Sequence, residues 1–200
     1  ALLSTLPARE RWSGLAEVVK CALLSPAQEA GGMPLLERCE RDLERAAAGE
    51  VDALAPLIEA CVRYKASIVA ADEREGGARA FLNLGHTVGH ALEAATGYEK
   101  FAHGEAVALG LRGALWLSRA RGLLDDVGLH RARRLVERVK ISADRRLDAP
   151  AREAALSALA RDKKARAGRV RFVLLAGLGE PRLLEVEPQE CVRALEASLS

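Results

Sequence analysis

Apolar residues recur along most of this chain at helical spacing. In SGLAEVVKCALL (13–24), Leu15, Val18, Val19 and Leu23 follow the i, i+3, i+4 pattern that gives a helix one buried stripe. Glu17, Lys20 and Cys21 fall together on a different face of the same helix. Gly31-Gly32 and Pro34 break the chain before a second helix, LLERCERDLERAAAGE, and a third follows Pro56 in LIEACVRYKASIVAADE. The loop REGGAR leads into a segment that carries three of the four histidines. From Glu105 to Ser118 the run is apolar nearly all round, which predicts a helix buried in the middle of a domain. Two more helices are expected near 127–140 and 151–165. RVRFVLLAGLGEPRLLEVE (169–187) departs from the pattern, with short alternating runs around a Gly-containing turn, and predicts a small β-hairpin. Pro188 then opens a last helix. The expected fold class is mainly α: a multi-helix domain with one small β-hairpin near its C-terminus.

Composition narrows the class. The chain has 200 residues, 50% hydrophobic and 29% charged, which suits one globular domain with a real core. With 30 basic and 28 acidic residues interleaved, it lacks the unbalanced basic charge of a nucleic-acid-binding surface. The run RARRLVERVK (131–140) reads as a solvated helix face or an anion or partner contact. Four scattered cysteines without a C-x-x-C pair imply reduced thiols and a cytoplasmic protein. No apolar run approaches the roughly 20 residues needed to span a bilayer, and no signal peptide is visible. No G-x-G-x-x-G follows a strand, so no dinucleotide site is evident. The opening ALLSTLPARE lacks Met, which suggests a piece of a longer protein.

Candidate chemistry gathers at NLGHTVGHALEAATGYEKFAHGE (83–105). His86 and His90 are i, i+4 and project from one helix face, a spacing that brings two imidazoles to one metal ion. Such a pair also occurs simply hydrogen-bonded or solvated. Gly85 and Gly89 suggest open space beside the rings, and His103 stands at a sharp break where a third ligand can approach. A catalytic zinc site takes three His or carboxylate ligands and keeps one position open. Glu93, Glu105 and Glu17 are all candidates to complete it. Lys65 lies in the stripe formed by Leu57, Ile58, Cys61, Val62, Ile68 and Val69, so it either snorkels to water or meets an anion. Arg79 and Asn83 lie one and two turns upstream of the histidines if that helix begins early, and Lys163-Lys164 add positive charge before the hairpin. Together these residues suggest a metal beside a pocket for a polyanionic small molecule.

The motifs SGLAEVVK, KASIVAADEREGGARAFLNLGHTVGHALE, HGEAVALGL and DKK followed by GRVRFVLL resemble, in order and spacing, the C-terminal helical domain of the 3-dehydroquinate synthase family. The resemblance covers about residues 5 to 195. It implies a shikimate-pathway enzyme that converts the seven-carbon keto-acid phosphate DAHP to 3-dehydroquinate and phosphate. The cofactors implied are NAD and a divalent metal, Zn2+ or Co2+. It makes Glu17, His86 and His103 the metal ligands and gives His90 and Lys20 catalytic positions. Lys65, Arg79, Asn83, Glu75 and one of Lys163 and Lys164 become substrate-binding. On this reading residues 1–200 are the helical metal- and substrate-binding domain, and the family's N-terminal NAD-binding α/β domain lies outside the chain. That domain and a second copy in a homodimer are the implied partners, and the fragment alone is expected to be inactive. The rivals are other sugar-phosphate cyclases, metal-dependent alcohol or glycerol dehydrogenases of the same fold, and a helical metal-binding module without activity. Helical metal-dependent phosphohydrolases would show a His-Asp dipeptide, and none occurs.

Overall fold

A computed structural model of the chain describes residues 2–26, 33–73, 77–160 and 169–200. Eight α-helices and one hairpin follow the expected order among these residues. They are α1 (Ala8–Leu24), α2 (Leu35–Ala47), α3 (Val51–Ala71), α4 (His86–Ala95), α5 (His103–Ala120), α6 (Asp126–Val136), α7 (Ala149–Ala160), β1 (Val170–Gly177), β2 (Glu180–Val186) and α8 (Pro188–Leu199). A 3-10 turn over Ala78–Asn83 precedes α4. Glu75, Lys163 and Lys164 lie outside the described residues. Among those described, no helix is long and apolar enough to cross a membrane.

The helix α5 organises the molecule because it is apolar all round. Val107, Ala108, Leu111, Ala114 and Leu115 join a core with α1, α2, α3 and α6. On its other side Ala106, Leu109 and Leu117 join a second core with α4, α7, α8 and the hairpin. Small residues let its neighbours approach closely. A Cβ on Gly104 would lie 2.0 Å from the Ser13 carbonyl oxygen of α1, and one on Gly110 would lie 1.8 Å from the Gly85 carbonyl oxygen at the start of α4. The antiparallel hairpin pairs Val170 with Val186 and lies against α5, where the buried Ser118 hydroxyl accepts from Leu175 N at 3.0 Å. The four cysteines are buried free thiols.

Three local expectations need correction. The helix α3 begins at Val51, not after Pro56. Pro56 sits in its second turn and forfeits only the bond its N–H would have made to Asp52. Arg79 and Asn83 do not share a helix with His86, because the 3-10 turn ends at Asn83 and Gly85, at φ 77°, turns the chain before α4. Nor is the α3 stripe uniformly buried: Leu57 and Cys61 are inside, while Val62 and Val69 are exposed. The arginines of 131–140 tie α6 to α2, Arg131 to Glu40 and Arg138 to Glu44.

Candidate functional site

Three helices bring Glu17, His86 and His103 to one point. Glu17 lies in the middle of α1, whereas His86 and His103 are the first residues of α4 and α5. One ligand atom from each lies within 4.8 Å of the other two. Glu17 Oε1 is 3.5 Å from His86 Nε2 and 4.0 Å from His103 Nε2. The close approaches at Gly104 and Gly110 set this convergence, since they fix α5 against α1 and against the start of α4. The glycines beside the histidines do the same. A Cβ on Gly85 would meet Leu111 N at 2.9 Å, and one on Gly89 would meet the Ala106 carbonyl oxygen at 3.1 Å. They are packed against α5 and do not open space, contrary to the sequence expectation.

The two oxygens of Glu17 have different surroundings. Oε2 accepts from Lys20 Nζ at 3.0 Å and from Lys65 Nζ at 3.2 Å. Oε1 is buried and has no hydrogen-bond partner among the described residues. A buried carboxylate oxygen left unpaired is costly, and a cation held between it and the imidazoles removes that cost. Burial would push the Glu17 pKa up, but the charge and hydrogen bond of Lys20, with His86 and Lys65, outweigh it and hold it at about 2. Burial, then the Lys20 charge, lowers His86 to about 4, so its ring is neutral at neutral pH. His86 Nδ1 lies 3.2 Å from the Leu84 carbonyl oxygen, which can accept a hydrogen bond from Nδ1–H and so leave the Nε2 lone pair facing Glu17. An ionised carboxylate and two imidazoles with an open side suit a divalent cation of the zinc type.

The other candidates divide. Glu105 is fully engaged: its carboxylate takes both Arg9 donors, Ala102 N and Ser142 N, so it braces the start of α5 and is not free to ligate. Glu93 is buried beside His103, with Oε1 3.0 Å from Nδ1. His90 is exposed, its ring centroid 5.1 Å from that of His86 and 6.1 Å from that of His103. It falls outside the Glu17 set but forms a second cluster with Glu93 and His103. Lys20 is buried and Lys65 half-buried, both on Glu17. Arg79 has other partners: its guanidinium donates to the Glu73 carbonyl oxygen and its backbone N–H to Asp72. Asn83 is half-buried at the end of the 3-10 turn and makes no side-chain hydrogen bond among the described residues. None of these hydrogen bonds links Lys65, Arg79 and Asn83 to one another among the described residues. Sequence reasoning missed the Arg9 brace on Glu105, since the two residues are 96 positions apart. A surface hollow of about 800 Å³ between α2 and α6 lies apart from all of this, and its Arg131 and Arg138 are already paired.

The chain is thus a helical domain whose two imidazoles and one carboxylate, beside two lysines, could hold a metal ion. The model of the 3-dehydroquinate synthase C-terminal domain matches residues 14–165, and the chain belongs to that family. A 3-dehydroquinate synthase of Dichelobacter nodosus is 43% identical over 203 residues, covering 100% of this chain and 53% of that protein. One from Acidithiobacillus ferrooxidans is 44% identical over 198 residues, covering 98% and 52%. The chain thus spans about half the length of these relatives. Among solved structures, a 2-deoxy-scyllo-inosose synthase complexed with carbaglucose-6-phosphate, NAD+ and Co2+ superposes with a TM-score of 0.79 at 24% identity, over 96% of this chain and 53% of that one. A 2-epi-5-epi-valiolone synthase from Streptomyces hygroscopicus subsp. jinggangensis, with NAD+ and Zn2+ bound, gives 0.77 at 25% identity, over 98% and 53%. The expected mainly helical fold with its late hairpin is the one observed.

Proposed function

We propose that the chain is the metal- and substrate-binding half of a 3-dehydroquinate synthase, a carbon–oxygen lyase that converts DAHP to 3-dehydroquinate and phosphate. The observation that carries this reading is the division of Glu17 between two lysines on one oxygen and two imidazoles on the other. Family membership and relatives of that name support it. Glu17, His86 and His103 would hold the divalent cation, which supplies a Lewis acid for substrate oxygens when bound. Lys20 and Lys65 put two positive charges on one carboxylate, so one remains to attract the carboxylate or phosphate of the substrate. His90, exposed at the rim and beside both other rings, is placed to exchange a proton with a substrate oxygen. Arg79 would meet the substrate with the guanidinium N–H groups that the Glu73 carbonyl does not use. NAD, and further substrate contacts, belong to the part of the relatives' length outside this chain.

The test is phosphate release from DAHP by the complete protein, supplied with NAD and zinc. His86→Ala is expected to abolish release, and Lys65→Met to raise KM more than it lowers kcat. Turnover of a different sugar phosphate with none of DAHP would overturn the assignment and leave a cyclase of another specificity.

A further inference from the structure

We infer that Glu93 is a positioning residue that fixes the His103 ring for cation binding, an inference that rests on the proposed metal site. Glu93 follows His86 and His90 on the same face of α4, at i+7 and i+3. Its carboxylate is only 7% exposed, and its helix packs Ala91 and Leu92 into the second core with Phe101. A carboxylate in such surroundings is strongly disfavoured without a partner. Its hydrogen-bond partner is His103 Nδ1, at 3.0 Å. An ionised carboxylate offers acceptors only, so the proton between the two belongs to Nδ1. With Nδ1 turned to Glu93, Nε2 is the ring nitrogen on the side of Glu17 Oε1. The arrangement parallels His86, whose Nδ1 faces a backbone carbonyl. The difference is charge: a carboxylate makes the opposite nitrogen a stronger donor to a cation, and it holds the more exposed of the two rings. Glu93 also clusters with His90 and His103 as a possible ligand set in its own right. The Glu17 set is favoured because it contains the unsatisfied oxygen, whereas Glu93 Oε1 is already hydrogen-bonded.

Zinc affinity of the chain, measured by chelator competition, tests this together with Co2+ absorption and 15N NMR of the His103 tautomer. Glu93→Leu is expected to weaken zinc about 10- to 100-fold, the usual effect of losing such a partner. Glu93→Gln keeps an acceptor without charge and should fall between Glu93→Leu and the unaltered chain. His86→Ala should lose the metal and His90→Ala keep it. A folded Glu93→Leu chain with unchanged affinity, alongside loss in His86→Ala, would overturn the role of Glu93 and leave the metal site standing. Loss in His90→Ala with retention in His86→Ala would make Glu93 a ligand and overturn both. Should Glu93→Leu fail to fold, the tautomer decides: a proton on Nδ1 of the metal-free chain supports the inference, and one on Nε2 refutes it.

Discussion

Lys20 and Lys65 share one oxygen of Glu17, yet their burial makes them unequal. The Lys20 side chain is 3% exposed and the Lys65 side chain 40%. Removing the carboxylate leaves a buried ammonium uncompensated, whereas removing Lys65 leaves Glu17 still paired. Glu17→Gln should therefore destabilise the metal-free chain by about 3 kcal/mol or more. Lys65→Met should stay within about 1 kcal/mol, as exposed pairs do. Urea denaturation in a chelator compares them, and equal losses would refute the asymmetry. Of the two alternatives the sequence left for Lys65, the structure shows the anion: its ammonium sits 3.2 Å from Glu17. At this scale the sequence marks residue types but not partners. It offers Glu17, Glu93 and Glu105 as equals, and only the fold shows Arg9 and two backbone N–H groups engaging Glu105.

Between elements, contact distance decides more than propensity. Gly104→Ala and Gly110→Ala are favourable changes for a helix interior, but each drives a methyl group into backbone. Each should destabilise by about 1–3 kcal/mol or more and, by separating α5 from α1 or α4, weaken zinc binding. Thermal melts and zinc titration together check this, and a stabilised variant would contradict it. The pairing of α2 with α6 responds to pH. Hydrogen bonds from Arg131 hold the Glu40 pKa below its ordinary 4.5, and those from Arg138 do so for Glu44. A depressed carboxylate contributes stability above the ordinary value, and that contribution disappears as pH falls below it. The urea midpoint should therefore drop on acidification below about pH 4.5, and less so in Arg131→Met. Sequence pattern made α1, α5 and the hairpin legible, α1 by apolar residues at helical spacing, α5 by a run apolar nearly all round, and the hairpin by short β-rich runs about a glycine turn. It failed at Pro56, which a helix accepts in its second turn for one lost bond. It failed again at Gly85 and Gly89, because nothing local in a sequence says which backbone lies opposite.

At the scale of the molecule, the strands among the described residues form a two-stranded antiparallel hairpin and not the parallel sheet of a dinucleotide-binding unit. Calorimetry of the isolated chain is expected to detect zinc but no tight NAD binding. Phosphate release from DAHP should require the other half of the protein, added in trans or fused. NAD-dependent turnover by the chain alone would refute this. The division of α5 between two cores has a further consequence. Glu17 belongs to a helix of the first core, His86 to one of the second, and His103 to the helix they share. An ion held by all three would act as a rivet through two layers that otherwise meet at α5 and β1. Amide hydrogen exchange in α1 and α4 should then slow together when zinc is added. Stripping the metal should let the two layers breathe at independent rates.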